Sequence, residues 1–240
     1  MTDLAAAPTH RSTIGCVIPA FNEQASIAEV IESLLSQTRV PDVIHVVVRN
    51  TSDATVEIAS KYAGPHEFVT ELGAQFTEVF VHDIGKNSGR KVDALNYGYT
   101  MVEACDYLLG VDGDAVAGAK AVERLEFEAV SDTRIGGISA IYSIDDRSIM
   151  GGRFSIFSTQ ALREVMERNH RSTPWAKDAQ VDDSLLSLQI GTGSLTTMGP
   201  GARSVRFTFL TVLAGSLTIG AFVLSRRWLF TRLGRRHSRS

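Results

Sequence analysis

The sequence predicts an α/β fold in which a mostly parallel sheet is flanked by helices. Short apolar runs alternate with stretches whose apolar residues recur at helical spacing, a pattern typical of parallel strands joined by helical crossovers. Three of the runs end in short loops, at residues 19–23, 49–53 and 112–114. The length of 240 residues allows one α/β domain with a full core and is too short for two ordinary domains with linkers.

The predicted strands are short and continuously apolar, as expected where both faces of a sheet are covered. The first is the run Thr13-Ile14-Gly15-Cys16-Val17-Ile18, which ends at Pro19. The second spans residues 43–48. The others, in chain order, cover residues 79–81, 107–111 and 135–142.

The first predicted helix follows the first strand, with Asn22 as its candidate N-cap and a single apolar stripe. That stripe consists of Ile27, Val30, Ile31, Leu34 and Leu35. Further helices are predicted at residues 55–62, 91–102, 119–130, 159–168 and 183–189. Gly151-Gly152 indicates a close backbone approach or a turn between the last strand and the helix at 159–168.

Charge is distributed unevenly along the chain. Residues 1–206 carry 18 Lys and Arg against 27 Asp and Glu, whereas residues 225–240 carry six Arg and no acid. An acidic domain lacks the basic face that nucleic-acid binding requires, so no nucleic-acid partner is expected. Cys16 and Cys105 lack metal-ligand spacing, which argues against a zinc site or a disulfide framework and favours a reducing compartment. Residues 1–12 are expected to be a disordered lead-in without a secretory signal.

Asp112-Gly113-Asp114 follows the apolar run at residues 107–111. If the strand continues through these residues, both carboxylates point the same way, because side chains two residues apart share a face. Converging carboxylates need a cation between them, and oxygen ligands suit Mg²⁺ or Mn²⁺, with substrate phosphates completing the coordination. Asp and Gly are equally common in surface turns, so the pair alone leaves both interpretations open.

Several common ligand-binding signatures are absent from the sequence. The loop Pro19-Ala20-Phe21-Asn22-Glu23 contains no glycine, which excludes the Gly-rich phosphate loop of a dehydrogenase. A P-loop and the Gly-x-Ser-x-Gly elbow of serine hydrolases are absent too. The six histidines show no paired spacing.

Four stretches of the chain resemble family 2 of the inverting glycosyltransferases, which have the GT-A fold and take nucleotide-sugar donors. They are, in order, residues 17–23, Lys91 with Ala94-Leu95-Asn96, Asp112-Gly113-Asp114, and residues 181–186. Each stretch is weak alone, but their order and spacing together are specific. The resemblance implies a GT-A-like domain of the nucleotide-diphospho-sugar transferase type at residues 13–203. A hydrophobic C-terminal helix and a basic tail are expected to follow at residues 204–240.

The resemblance implies that the loop after the first strand holds the nucleotide. The main chain around Pro19-Ala20-Phe21 and the side chain of Glu23 would contact it, although Glu23 is also interpretable as an acid in the first turn of a helix. Arg49-Asn50 stands where relatives commonly have two acids, one of which reads the base. Asn50 is therefore a candidate donor contact, and the identity of the base stays open.

The phosphate end of the donor is assigned, by the same resemblance, to three charged residues. Asp112 would face the ribose and the metal, and Asp114 would ligate the Mn²⁺ or Mg²⁺ that bridges the two phosphates. Lys91 would lie near the phosphates. Judged from the helical pattern alone, Lys91 is equally a solvated residue on an amphipathic helix.

Asp183 is the candidate general base. Inverting transfer needs one carboxylate to take the proton of the acceptor hydroxyl as its oxygen attacks the anomeric carbon from the face opposite the leaving group. The family usually has Glu-Asp here, so Asp182 shortens the first acid while the presumed base is retained. Either acid is also a plausible N-cap for a helix, and capping is compatible with catalysis. Gly151-Gly152 falls where relatives shape the acceptor pocket.

Residues 207–224 carry no charge and just reach the length of a transmembrane helix. Thr and Gly residues dilute their hydrophobicity, so an interfacial or re-entrant helix anchored by Trp228, or a buried core helix, are alternatives. We expect membrane contact through residues 207–228, with the catalytic domain on the cytoplasmic side because no translocation signal precedes it. Arg227-Trp228 lacks the Gln of the processive Gln-x-x-Arg-Trp motif, so polymerisation is not expected.

The sequence therefore predicts an inverting, metal-dependent glycosyltransferase that moves a sugar from a nucleotide-diphosphate donor to a hydroxyl acceptor, whether glycan, lipid or another class. Two alternatives stay open. Nucleotidyl transfer uses similar sheets and paired metal-binding acids. A catalytically degenerate, membrane-tethered module would also be consistent with Arg49-Asn50 and the unusual tail.

Overall fold

The computed structural model describes residues 12–85, 91–133, 135–144, 147–176, 193–197 and 204–207. All of these residues belong to the first of the two units into which the chain divides, residues 1–209. The predicted helix at residues 183–189 lies outside the described residues. Most of the C-terminal apolar segment, from residue 208 onward, also lies outside them.

Nine strands in the described part of the chain form one sheet. They are β1 (Ile14–Ala20), β2 (Val43–Val48), β3 (Gly64–Thr70), β4 (Gly73–Asp83), β5 (Tyr107–Val111), β6 (Gly137–Ile144), β7 (Arg147–Ser158), β8 (Gly193–Thr197) and β9 (Ser204–Phe207). Their order across the sheet is β3-β4-β2-β1-β5-β7-β6-β8-β9.

The described helices flank this sheet. They are α1 (Ile27–Leu35), α2 (Thr55–Ser60), α3 (Lys91–Val102), α4 (Ala121–Val130) and α5 (Thr159–Arg168). The structure confirms the predicted bounds of α3 and α5, and it begins α4 two residues after the predicted start at residue 119. Helix α1 covers the predicted apolar stripe from Ile27 to Leu35, and α2 ends at Ser60, two residues before the predicted end at residue 62.

The centre of the sheet is parallel. Strands β4, β2, β1 and β5 are neighbours, and each of the three contacts between them is parallel. Antiparallel strands extend the centre on both sides, with β3 beside β4 and β7 beside β5. Because the carboxyl ends of parallel strands meet at one edge of a sheet, the loops after β1, β2 and β5 open on the same side.

The core lies on both faces of the sheet. In β1, Cys16 and Ile18 belong to an apolar cluster with α1, α2 and α4, whereas Val17 belongs to a second cluster with α3 and α5. All seven residues of β1 are buried. Burial on both faces explains why the strand is continuously apolar rather than alternating.

Helix α3 packs closely on β1 at a glycine. A Cβ added to Gly98 would lie 2.2 Å from a methyl carbon of Val17. Gly98 therefore sets the distance between the helix and the strand, because a larger residue would separate them.

The C-terminal boundary differs from the sequence-based expectation at residues 204–207. Phe207, the predicted first residue of an apolar helix, is the last residue of β9, which pairs with β8. Among the described helices none is both long and apolar enough to span a membrane.

Candidate functional site

A cleft of about 520 Å³ lies at the carboxyl edge of the parallel strands. Its walls come from the ends of β1, β2 and β5 and from the first turns of α3. The lining residues are Pro19, Ala20, Phe21, Glu23, Arg49, Asn50, Lys91, Ala94, Asp112, Gly113 and Asp114. Every residue proposed above for donor or metal binding is among them, so the structure brings these candidates together.

The loop after β1 is held by the loop after β2. Asn22 adopts a left-handed conformation with φ 54°, and its side-chain oxygen accepts a hydrogen bond from the backbone N–H of Ser52 at 2.9 Å. The predicted role of Asn22 as N-cap of α1 is wrong, because the helix begins at Ile27 with Ser26 at its N-cap. The backbone N–H of Glu23 donates to the hydroxyl of Thr55 at 2.8 Å.

Glu23 approaches the backbone of Gly113 across the cleft. The hydroxyl of Ser26 lies 2.8 Å from Glu23 Oε2 and 2.9 Å from the carbonyl oxygen of Gly113, so it donates to one or the other. A Cβ on Gly113 would lie 2.8 Å from Cγ of Glu23. A larger residue between the two aspartates would therefore displace the side chain of Glu23. Glu23 also precedes α1, so the alternative of a first-turn acid does not hold.

Asp112 and Asp114 reach the cleft from a turn. Strand β5 ends at Val111, and the N–H of Ala115 donates to the carbonyl oxygen of Asp112 at 3.0 Å. The strand does not continue through the two aspartates, so strand alternation does not determine the directions of their carboxylates. Both acids nevertheless line the cleft.

Lys91, the first residue of α3, pairs with Asp112. Its Nζ lies 2.5 Å from Oδ1 of Asp112, and the two side chains are 33% and 23% exposed. The alternative that Lys91 is merely a solvated helix residue is thus excluded by its contact with a cleft carboxylate.

Arg49 brings a second positive charge to the cleft wall. It is 8% exposed, and desolvation lowers the pKa of its guanidinium while the charge of Asp93 opposes this shift. The next residue, Asn50, has φ 54° and donates its N–H to the carbonyl oxygen of Gly85 at 3.1 Å. The loop after β2 thus presents a cation and an amide where the resemblance leads one to expect acids.

Asp53 stabilises the loop after β2 through hydrogen bonds. Its carboxylate accepts hydrogen bonds from the N–H of Thr55 at 3.0 Å and from the N–H of Gln24 at 3.2 Å. Desolvation raises its pKa, but the hydrogen bonds from Thr55, Gln24 and Thr51 outweigh it and hold the pKa below the ordinary value.

The cleft contains oxygen ligands of the kind that a divalent cation needs. Asp112 and Asp114 offer carboxylate oxygens, the ligands that Mg²⁺ and Mn²⁺ prefer when substrate phosphates complete the coordination. Within the described ranges there is no group of three or more His, Cys, Asp or Glu residues arranged to hold a metal ion. The two carboxylates are therefore suited to a cation whose remaining ligands include oxygen atoms of a bound diphosphate.

The structure pairs two histidines that the sequence did not connect. Nδ1 of His45 on β2 lies 2.9 Å from Nε2 of His82 on β4. His45 also stacks on Phe80, and His82 meets the ring of Tyr97 edge-on. His82 lies opposite Val47, and His45 is on the same face of β2 as Val47, so the two histidines are diagonal neighbours. A prediction of this register from the sequence would have revealed the pair.

Asn96 joins α3 to the backbone of Trp175. Its side-chain amide donates to the carbonyl oxygen of Trp175 at 3.0 Å, and its side-chain oxygen accepts from the N–H of Trp175 at 3.1 Å. Asn96 is 6% exposed. The structure therefore gives Asn96, in the second resembling stretch, a specific backbone partner. Asp182 and Asp183 themselves lie outside the described residues.

Comparison with known proteins gives a family match and structural relatives. The family model described as glycosyl transferase family 2 matches residues 16–182. No curated protein sequence matches the chain.

Two of the similar solved structures are a mannosyltransferase from Pyrobaculum calidifontis and TarS from S. aureus. The mannosyltransferase, PcManGT, is in complex with GDP-Man and Mn²⁺; it is 20% identical over 79% of this chain, with a TM-score of 0.55. TarS residues 1–349 are 16% identical over 74% of this chain, also with a TM-score of 0.55, and one structure of that fragment contains UDP. The chain spans 55% of the mannosyltransferase chain and 55% of the TarS fragment. These likenesses confirm the predicted fold class.

Proposed function

The chain belongs to glycosyl transferase family 2, and from that premise we propose that it transfers a sugar from a nucleotide-diphosphate donor to a hydroxyl acceptor. The observation that carries the proposal is the cleft, where loops from three parallel strands and the start of α3 bring together the acids and the lysine of three separate sequence stretches. Open α/β sheets bind their ligands at this edge.

The donor is proposed to lie along the cleft with its nucleotide toward β1 and β2. Pro19, Ala20 and Phe21 provide main-chain groups and an apolar surface, and Phe21 is 55% exposed and so available to a ligand. Glu23 and Asn50 provide polar contacts on either side. The GDP-Man and UDP in the two similar structures support a nucleotide donor of this kind.

Asp112 and Asp114 are proposed to hold Mn²⁺ or Mg²⁺ at the diphosphate end. When bound there, a divalent cation stabilises the negative charge of the departing diphosphate. The Mn²⁺ in the mannosyltransferase structure supports this assignment.

Asp183 is proposed as the base of an inverting reaction. Its carboxylate takes the proton of the acceptor hydroxyl while the acceptor oxygen bonds to the anomeric carbon, and the bond from that carbon to the diphosphate oxygen breaks on the opposite face. The acceptor is a hydroxyl compound of undetermined class, such as a glycan or a lipid. Membrane contact through residues 207–228, on the cytoplasmic side, is part of the same proposal.

The decisive experiment incubates the purified protein and Mn²⁺ with a panel of nucleotide sugars and analyses the products. Sugar transfer or donor hydrolysis releases a nucleoside diphosphate, whereas transfer of the nucleotidyl group from a nucleotide sugar would release a sugar phosphate. Asp114→Ala is expected to lose metal-dependent donor binding in calorimetry. A folded wild-type protein that neither binds nor turns over any member of the panel would overturn the proposal and favour a degenerate module.

Asp183→Asn tests the base separately from the donor site. Because the amide cannot take a proton, transfer should fall by at least about a hundredfold, the lower end of typical general-base contributions, while donor affinity stays within about twofold. Calorimetry with the donor and a transfer assay give the two readouts, and Asp182→Asn is the matched control. Weakened donor binding in Asp183→Asn would move this residue out of the base role.

A further inference from the structure

The ion pair between Lys91 and Asp112 lies at the position where the proposed cation would bind. The Nζ to Oδ1 distance of 2.5 Å is a direct contact, and about two thirds or more of each side chain is shielded from solvent. Shielding strengthens an ion pair relative to one in open water, so this contact is not equivalent to a surface salt bridge.

The charges that line the cleft favour an exchange in which a divalent cation replaces Lys91 as the partner of Asp112. The cleft lining contains the carboxylates of Glu23, Asp112 and Asp114 and the cations Arg49 and Lys91. A divalent cation on Asp112 would stand next to the ammonium of Lys91, and the two positive charges repel each other at such short range. Unless a bound anion neutralises part of this positive charge, the cation and Lys91 therefore compete for Asp112.

A diphosphate removes this competition. Its oxygens accept hydrogen bonds from an ammonium group, and lysine is a common phosphate ligand in proteins. Lys91 stands on the first turn of α3 at the cleft wall, so its long side chain can leave Asp112 for a ligand in the same cleft.

We propose that Lys91 occupies the cation's place on Asp112 in the donor-free protein and transfers to the donor's diphosphate when the cation binds. The consequence is cooperative binding: the cation binds weakly alone and tightly together with the nucleotide, and by linkage the nucleotide gains the same factor from the cation. This inference rests on the proposed function, because it needs a divalent cation and a diphosphate in the cleft.

The test measures Mn²⁺ affinity of the full chain by electron paramagnetic resonance of free Mn²⁺, without nucleotide. Lys91→Met should bind Mn²⁺ at least about fivefold more tightly than the wild type, the lower end of typical coupling factors. Lys120→Met is the matched control, because Lys120 also pairs with a carboxylate, Glu71 at 3.6 Å, but lies outside the cleft lining. It should leave the affinity unchanged within about twofold. Thermal unfolding checks that each variant is folded, and Lys91→Gln replaces Lys91→Met if the latter is not.

A second measurement repeats the titration with UDP or GDP, whichever binds the wild type. The nucleotide should raise the Mn²⁺ affinity of the wild type, and this rise should be at least about fivefold smaller in Lys91→Met. Equal Mn²⁺ affinity of the wild type and Lys91→Met without nucleotide would overturn the exchange while leaving a metal-dependent transferase intact. Absence of Mn²⁺ binding in every protein, with sugar transfer persisting in EDTA, would overturn both the exchange and the metal assignment but not the transfer activity.

Discussion

At the scale of single residues, a buried histidine is paired with a histidine that is distant in the sequence. His45 is 6% exposed, and its ring shares a hydrogen bond with His82 on the neighbouring strand. One nitrogen donates and the other accepts, so adding a proton to both rings would set two N–H groups against each other. Desolvation, followed by the charge of His82, lowers the pKa of His45 to about 4, and desolvation lowers that of His82.

This histidine pair predicts a loss of stability in mild acid. The folded state binds a proton at His45 only near pH 4, whereas the unfolded chain binds one near pH 6.5, so stability is complete above pH 6.5 and falls as the pH decreases toward 4. Between pH 7 and pH 5, His45 should remove roughly 2 kcal/mol from the free energy of unfolding. Urea denaturation at both pH values measures this difference.

The matched variants for that measurement are His45→Phe and His170→Asn. Phenylalanine keeps an aromatic ring beside Phe80 but does not titrate, so His45→Phe should lose most of the pH dependence. His170 is exposed in a left-handed turn that asparagine tolerates, so His170→Asn should retain it. An unchanged pH dependence in His45→Phe would contradict the assignment.

At the scale of elements, α3 connects the core with the cleft. Lys91 and Ala94 line the cleft, Gly98 meets Val17 of β1, and Asn96 binds the backbone of Trp175. A shift of this helix would therefore displace residues of the cleft wall and disturb the contact with Trp175. The close contact at Gly98 sets the distance between the helix and β1.

Gly98→Ala should destabilise the protein and widen the cleft. The added methyl would meet Val17 at 2.2 Å, and overpacking of this kind costs about 1–3 kcal/mol, which exceeds the gain of about 1 kcal/mol from higher helix propensity. Chemical denaturation measures the change. Gly118→Ala is the control, because nothing lies within 4 Å of its added Cβ. Equal stability of Gly98→Ala and the wild type would show that the helix is not held at this distance.

At the scale of the whole molecule, the parallel centre of the sheet and the edge that carries the cleft were predictable, and β6 was predicted at residues 135–142, but β3 and β7 were not predicted as strands. Continuous apolar runs revealed β1, β2 and β5 because these strands are buried on both faces. In β3 alternate residues are more exposed and Pro65 interrupts the pattern, and in β7 the pair Gly151-Gly152, which indicates a close backbone approach or a turn, lies within the strand.

The candidate site was predictable to a similar degree. The order of the strands brings the loops after β1, β2 and β5 to one edge, so the residues of the cleft followed from topology. The ion pair of Lys91 with Asp112, the turn that carries Asp114 and the bond from Ser52 to Asn22 did not follow, because each depends on side-chain geometry between segments far apart in sequence.

The position of β1 between β2 and β5 also has a consequence for the order of folding. Its pairing with β2 joins nearby segments, with Ile14 bonded to Asp42, 28 residues away, whereas its link to β5 joins Thr13 to Asp106, 93 residues away. Contacts between distant segments form more slowly, because a longer loop must close before they are gained. Glu23 and Gly113 lie on the two sides of the junction between β1 and β5, so we expect the cleft to form after β1 has paired with β2. A newly made chain consequently gains its ligand-binding edge only after its local β1-α1-β2 unit has assembled.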